Sequence, residues 1–208
     1  TRMLAANEES ELYEATQARV NRAVVVELLR PGTARERESA FLNRARMCAA
    51  TEELPHVARV AESLRADGIW FLAQERPSGY SLADLQLLGH MLTAPQVCRI
   101  IEAAAEMYAL CEASSLRAGV LRSTEIYLNA DNIVCFLSPL AHEEASPSSI
   151  RRALAAAIAP MRPMGVDGEH RIMSILQWLT DGHEDGSPVE WETFRETCLT
   201  IRQQMEGM

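Results

Sequence analysis

Apolar residues recur at nearly every second position through the first third of the chain and at every third or fourth position after it. Alternation places one face of an extended segment inward, so short β-strands are predicted at 12–13, 23–29, 57–60 and 69–73. Between the second and third of these lies ARERESAFLNRARMCAA, where Phe41, Leu42, Ala45, Cys48 and Ala49 fall on one stripe and charges cover the rest, the pattern of an amphipathic helix. After Arg76-Pro77-Ser78-Gly79 the period changes. Ser81 with Asp84 is a helix-capping start ahead of Leu82, Leu85 and Leu88. Thr93 with Pro95 opens a longer helix that turns Val97, Ile100, Ile101, Ala104, Tyr108 and Cys111 to one side. AGVLRSTEIYLNADNIVCFLSPL then reads as a loop, a strand at 126–128, an Asn129-Ala130-Asp131-Asn132 turn and a strand at 133–137. Three more helical stripes follow: Ile150, Leu154, Ala157, Ile158 and Met161, broken at Pro160 and Pro163; Ile172, Ile175, Leu176 and Leu179; and, after Ser187-Pro188, Trp191, Phe194, Cys198 and Ile201.

Composition narrows the chemistry more than the fold. At 208 residues one compact unit is expected. The net charge of −9 repels a polyanion, and no basic stripe overrides it, so nucleic acid is not expected as a partner. All twenty basic residues are arginine, which removes every mechanism needing a lysine ammonium or a Schiff base. Cys48, Cys98, Cys111, Cys135 and Cys198 are odd in number and set among apolar neighbours, as reduced cytosolic thiols would be. His56, His90, His142, His170 and His183 lack metal-site spacing, and no metal or cofactor is expected. No apolar run is long enough to span a bilayer. The start at Thr1, without an initiator Met or a leader, suggests a processed form or a piece of a longer chain with further domains. A cytoplasmic location is expected, free or as the cytosolic domain of a membrane-anchored protein.

Strand, strand, helix, strand, strand, a short connection, then helices with a hairpin after the long one: this order resembles a protein kinase domain, of the bacterial Ser/Thr-kinase-like kind. GIWFLAQERPSGYSLADL resembles that family's fifth strand, hinge and following helix, and AVVVELL resembles its third strand. The resemblance implies an α+β, two-lobed fold: an N-lobe of antiparallel sheet and one helix over 1–75, a hinge at 76–80, and a helical, truncated C-lobe over 81–208 carrying a degenerate catalytic hairpin at 118–140. It also places family positions on this sequence. The Gly-rich loop falls on Ala5 to Leu12, which has no glycine but has Glu8, Glu9 and Glu11, with Ser10 among the degenerate positions. Carboxylates there have the wrong sign for phosphate. The phosphate-binding lysine becomes Glu27, and its helix glutamate falls near Arg44, a swapped pair that could bridge or could stand as two separate solvated charges. Gln74 takes the gatekeeper position. The base aspartate becomes Val120, which accepts no proton; the two magnesium ligands become Glu125 and Ser138.

The resemblance therefore implies a catalytically inactive pseudokinase, a protein-interaction or scaffold module in signalling that binds neither ATP nor magnesium. The alternative is a cleft that still takes a ligand, or performs an unorthodox transfer through Glu27, Glu125 or Asp131. The protein partner is not identifiable from the sequence. With only a short segment after the hairpin, Leu137 and Leu140 are expected to be exposed and to contribute to a contact surface.

Overall fold

Five antiparallel strands open the chain in a computed structural model that describes residues 1–50, 54–137, 139–141, 145–162, 169–181 and 190–206. They are β1 (Arg2–Ala6), β2 (Ser10–Gln17), β3 (Arg22–Leu29), β4 (Val60–Ala66) and β5 (Ile69–Glu75), in the spatial order β1-β2-β3-β5-β4. The β4–β5 connection is Asp67-Gly68, both at positive φ (49° and 83°), the two-residue turn whose twist matches that of the paired strands. Helix α1 (Arg35–Ala50) crosses over between β3 and β4 and buries Phe41, Ala45 and Cys48. β1 is not predicted by alternation, since Arg2–Ala6 has no β-branched residue and is a strand through its ladder to β2. The strand predicted at 57–60 begins at Val60, although Val57 makes a single parallel bridge to Phe136.

The remaining elements are mostly helical: β6 (Tyr80–Ser81), α2 (Leu82–Leu87), α3 (Ala94–Ala113), β7 (Ile126–Leu128), β8 (Val134–Phe136), α4 (Pro147–Ile158) with a 3-10 turn at Ala159–Met161, α5 (Glu169–Asp181) and α6 (Trp191–Glu206). The fold is α+β. Thr93 caps α3 reciprocally with Gln96, and all six of the residues predicted for its inner face are buried. α3 packs along α6, where Tyr108 stacks on Trp191 with ring centroids 4.9 Å apart. Ser146 caps α4, and the inner stripes predicted for α4 and α5 are buried in full. The expected helix start at Ser187-Pro188, together with Pro163, His142 and His183, lies outside the described residues. No helix among the described residues is long and apolar enough to cross a membrane, and all five cysteines are free thiols.

Backbone, charge and packing tie the sheet to the helices. Phe136 donates its N–H to His56 O at 2.6 Å and accepts from Ala58 N at 2.9 Å, so residues 56–58 lie beside β8. Arg2 reaches Asp84 at 2.8 Å, and His56 reaches Glu106 on α3 at 3.1 Å. Val25 of β3, Ala58, Tyr127 of β7 and Leu137 form a second buried cluster, closed by Leu4, Leu12 and Cys135. Leu137 and Leu140 are thus not a contact surface: they are 1% and 2% exposed, Leu137 in that cluster and Leu140 in the main core, where its backbone bridges to Ala118. Ile133 departs from its expected inward position as well. It is 60% exposed, because the preceding turn ends on Asn132 at φ 59° and Ile133 precedes β8 instead of starting it.

Candidate functional site

A cleft of about 310 Å³ opens between the sheet and the hairpin loop. Its roof is the β1–β2 hairpin from Ala5 to Leu12, its back is Glu27 and Leu29 of β3 with Arg37, Phe41 and Arg44 of α1, and its floor is the loop from Gly119 to Glu125 with Leu137 and Leu140. The roof turn is built by Asn7, whose Oδ1 accepts the N–H groups of Glu9 and Ser10 at 2.8 and 2.7 Å, a local bond that lets a turn close without glycine. Glu9 is held at the mouth by Arg37 at 2.7 Å, and Glu11 by Arg30 at 3.3 Å. Ser10 is buried and Glu8 is exposed.

The floor loop is fixed from three sides. Tyr108 of α3 donates its hydroxyl to Gly119 O at 2.9 Å, Ala83 N donates to Ser123 O at 3.1 Å, and Leu137 N donates to Glu125 O at 2.9 Å. Within it, Arg122 N donates to Glu125 Oε2 at 2.8 Å while Glu125 N returns to Arg122 O at 2.9 Å. Val120 is 37% exposed and offers the cleft only methyl groups.

The sequence leaves open whether Glu27 and Arg44 meet. They do: Arg44 Nη2 lies 2.5 Å from Glu27 Oε2, with both side chains about a sixth exposed. Their placement follows from register, since Glu27 pairs with Leu12 on one side and Leu72 on the other, and therefore shares the sheet face on which α1 sits with Val25 and Leu29. A pair at this depth is charge-assisted and poorly solvated, so removing one partner strands the other. Arg44→Ala is expected to cost about 1 to 3 kcal/mol in chemical denaturation, and a Glu27→Ala, Arg44→Ala double-mutant cycle to return a coupling of at least about 1 kcal/mol.

Glu125 shares this interior. Burial pushes its carboxyl up to about 7, the hydrogen bond from Arg122 N opposes that rise, and the nearby Glu27 carboxylate adds to it. A carboxyl whose folded pKa is raised binds more protons folded than unfolded, so between about pH 4.5 and 7 the protein loses stability as pH rises. Glu125→Gln keeps an acceptor for Arg122 N and removes the titration. Its melting temperature should match the unaltered protein's near pH 4.5 and exceed it near pH 8, by a margin on the order of 2 to 3 kcal/mol of unfolding free energy.

Of the remaining positions singled out in the sequence, Gln74 is buried and donates its amide to Ala58 O at 2.9 Å, outside the cleft. Ser138 lies outside the described residues. Asp131 is exposed in the β7–β8 turn, which Asn129 Oδ1 organises by accepting from Asp131 N and Ile133 N; it does not join Glu27 and Glu125. The residue that sequence reasoning passed over is Tyr127. It is 1% exposed, sits at the centre of the second cluster and lies under the Arg76 guanidinium, 5.9 Å from its ring centroid. Only its place in a short apolar strand signalled it. Among the described residues no three His, Cys, Asp or Glu side chains converge as a metal site. No protein-family model matches the chain, and no curated protein matches it.

Proposed function

We propose that the chain is a degenerate protein kinase-like domain, catalytically inactive, acting as a protein-interaction or scaffold module in signalling. The element order, the five-stranded sheet with a single crossing helix, and a cleft between that sheet and a hairpin that follows a long helix support the fold reading. The observation that carries the functional reading is the lining of the cleft. Where a kinase would present glycine N–H groups, a lysine and a base aspartate, this cleft presents Glu9, Glu27 and Val120, and the Glu27 carboxylate is already engaged by Arg44. Glu9 and Glu27 are paired with Arg37 and Arg44, so two of the guanidiniums lining the cleft are committed to carboxylates and not to a phosphate. Tyr127 and its neighbours supply a second obstacle, because they join sheet and hairpin by side-chain packing that requires no bound base.

The reading is tested by incubating the protein with γ-labelled ATP and magnesium, alone and with a generic acceptor protein. No label should transfer to either. Transfer that persists through further purification and is lost in Glu125→Gln would refute it in favour of the unorthodox transferase.

A further inference from the structure

The sheet is fastened to the helical half at both of its edges, and by different means. Near the β4 edge the tie is backbone: residues 56–58 bond to Phe136 of β8 in both directions, at 2.6 and 2.9 Å. At the β1 edge it is made by side chains, with Leu4 and Leu12 resting on the second cluster beside a row of alternating charges. Asp84 on α2 holds Arg2 of β1 at 2.8 Å, Arg2 holds Glu14 of β2 at 2.9 Å, and Glu14 holds Arg76, which follows β5. Both ends of the row are anchored. Ser81 Oγ donates to Asp84 Oδ2 at 2.8 Å, and the Arg76 guanidinium donates to Pro77 O and Gly79 O at 3.0 and 3.2 Å while lying over Tyr127. Arg2 is the vulnerable member: its side chain is 54% exposed against 14% for Asp84, so dissolved ions reach it.

We propose that Arg2 is the closing member of an ionic latch: with it paired, the sheet stays shut over the apolar cluster at Tyr127, and with it screened or removed, the seam opens at the β1 edge while the backbone seam at residues 56–58 holds. Within the row, the Arg2–Asp84 link is the one that reaches α2. A charge-assisted bond to a carboxylate this shielded contributes more than a fully exposed pair, and its loss leaves that edge to the packing of Leu4 and Leu12. Opening brings solvent to Leu4, Leu12, Tyr127 and Cys135, so the latch decides whether the domain presents this apolar surface. The latch goes beyond the pseudokinase reading and does not depend on it.

Cys135 on β8 reports the opening. It is partly buried against the second cluster, and burial pushes its thiol up to about 11, so it reacts slowly while the seam is shut. Cys98 on α3 and Cys198 on α6 are fully buried and serve as the control for general unfolding. The whole chain is treated with N-ethylmaleimide at one fixed pH, in about 0.05 M and about 1 M sodium chloride, and modification of each cysteine is followed by peptide mass spectrometry. In the unaltered protein Cys135 should react about five- to tenfold faster at the higher salt. Arg2→Gln should show the fast rate at both salts, and Asp84→Asn should do likewise. Arg2→Lys should keep most of the protection and the salt response, because an ammonium still faces Asp84. Cys98 and Cys198 should stay unmodified throughout. A Cys135 rate indifferent to Arg2→Gln, or a salt response missing from the unaltered protein or persisting in Arg2→Gln, overturns the latch. So does modification of Cys98 and Cys198 in step with Cys135, which marks loosening of the whole fold.

Discussion

Gly79→Ala is expected to lower the melting temperature by about 6 to 12 °C, corresponding to about 3 kcal/mol or more in a chain of this size. Gly79 stands at φ 88°, a conformation that costs an L-residue roughly 1 to 2 kcal/mol, and it lies where the chain passes from the sheet to the helices. A Cβ there would overlap the Leu128 carbonyl oxygen and come within 2.6 Å of Asn129 Cα. Both are backbone atoms of the β7 end, which pairs with Tyr80 and cannot yield without breaking the β6–β7 ladder. Overpacking against rigid backbone adds roughly 1 to 3 kcal/mol to the dihedral cost. Gly68→Ala provides the comparison. It also has positive φ, 83°, but a Cβ there meets nothing within 4 Å, so it should show the dihedral cost alone. Equal losses at the two positions would contradict the account of Gly79.

Tyr127→Ala should cost about 3 to 5 kcal/mol, the range for deleting a buried aromatic side chain. Its ring fills the space between β3 and the hairpin, against Val25, Ala58 and Leu137, and no neighbouring backbone can collapse into the void without moving β7 against β8. Tyr127→Phe keeps the ring and should remain within about 1 kcal/mol of the unaltered protein in the same denaturation assay. The pair of variants separates packing from polarity. Opening this space should not create a nucleotide site, because Glu27 and Glu125 still line the adjoining cleft.

Much of the helical half was legible because its signals are local. The Thr93–Gln96 capping box and the apolar spacing from Val97 to Cys111 lie within single stretches of sequence, and each has one structural solution. The Glu27–Arg44 contact was half legible: the opposite charges at the two positions pointed to it, but only the strand register and the rotation of α1 decide whether the two groups meet. What failed depended on partners distant in the chain. β1 has weak intrinsic preference and is held by its ladder to β2 and by the reach of Arg2 to Asp84. Leu137 and Leu140 read as surface because little sequence follows the hairpin, yet Val25 and Ala58, from far upstream, cover Leu137, and the segment at Ala118 backs Leu140. The raised carboxyl of Glu125 was invisible for the same reason. Its burial comes from elements on both sides of the cleft, and no pattern in residues 118–140 encodes that.

We propose that the cleft between sheet and hairpin lacks the means to grip a triphosphate. Differential scanning calorimetry with and without magnesium ATP tests it most directly. A nucleotide present at 100 times its Kd would add roughly 2.7 kcal/mol of stability, a rise of about 5 to 11 °C for a chain of this length. The account predicts superimposable transitions at millimolar nucleotide. A saturable upward shift that requires both ATP and magnesium would contradict it.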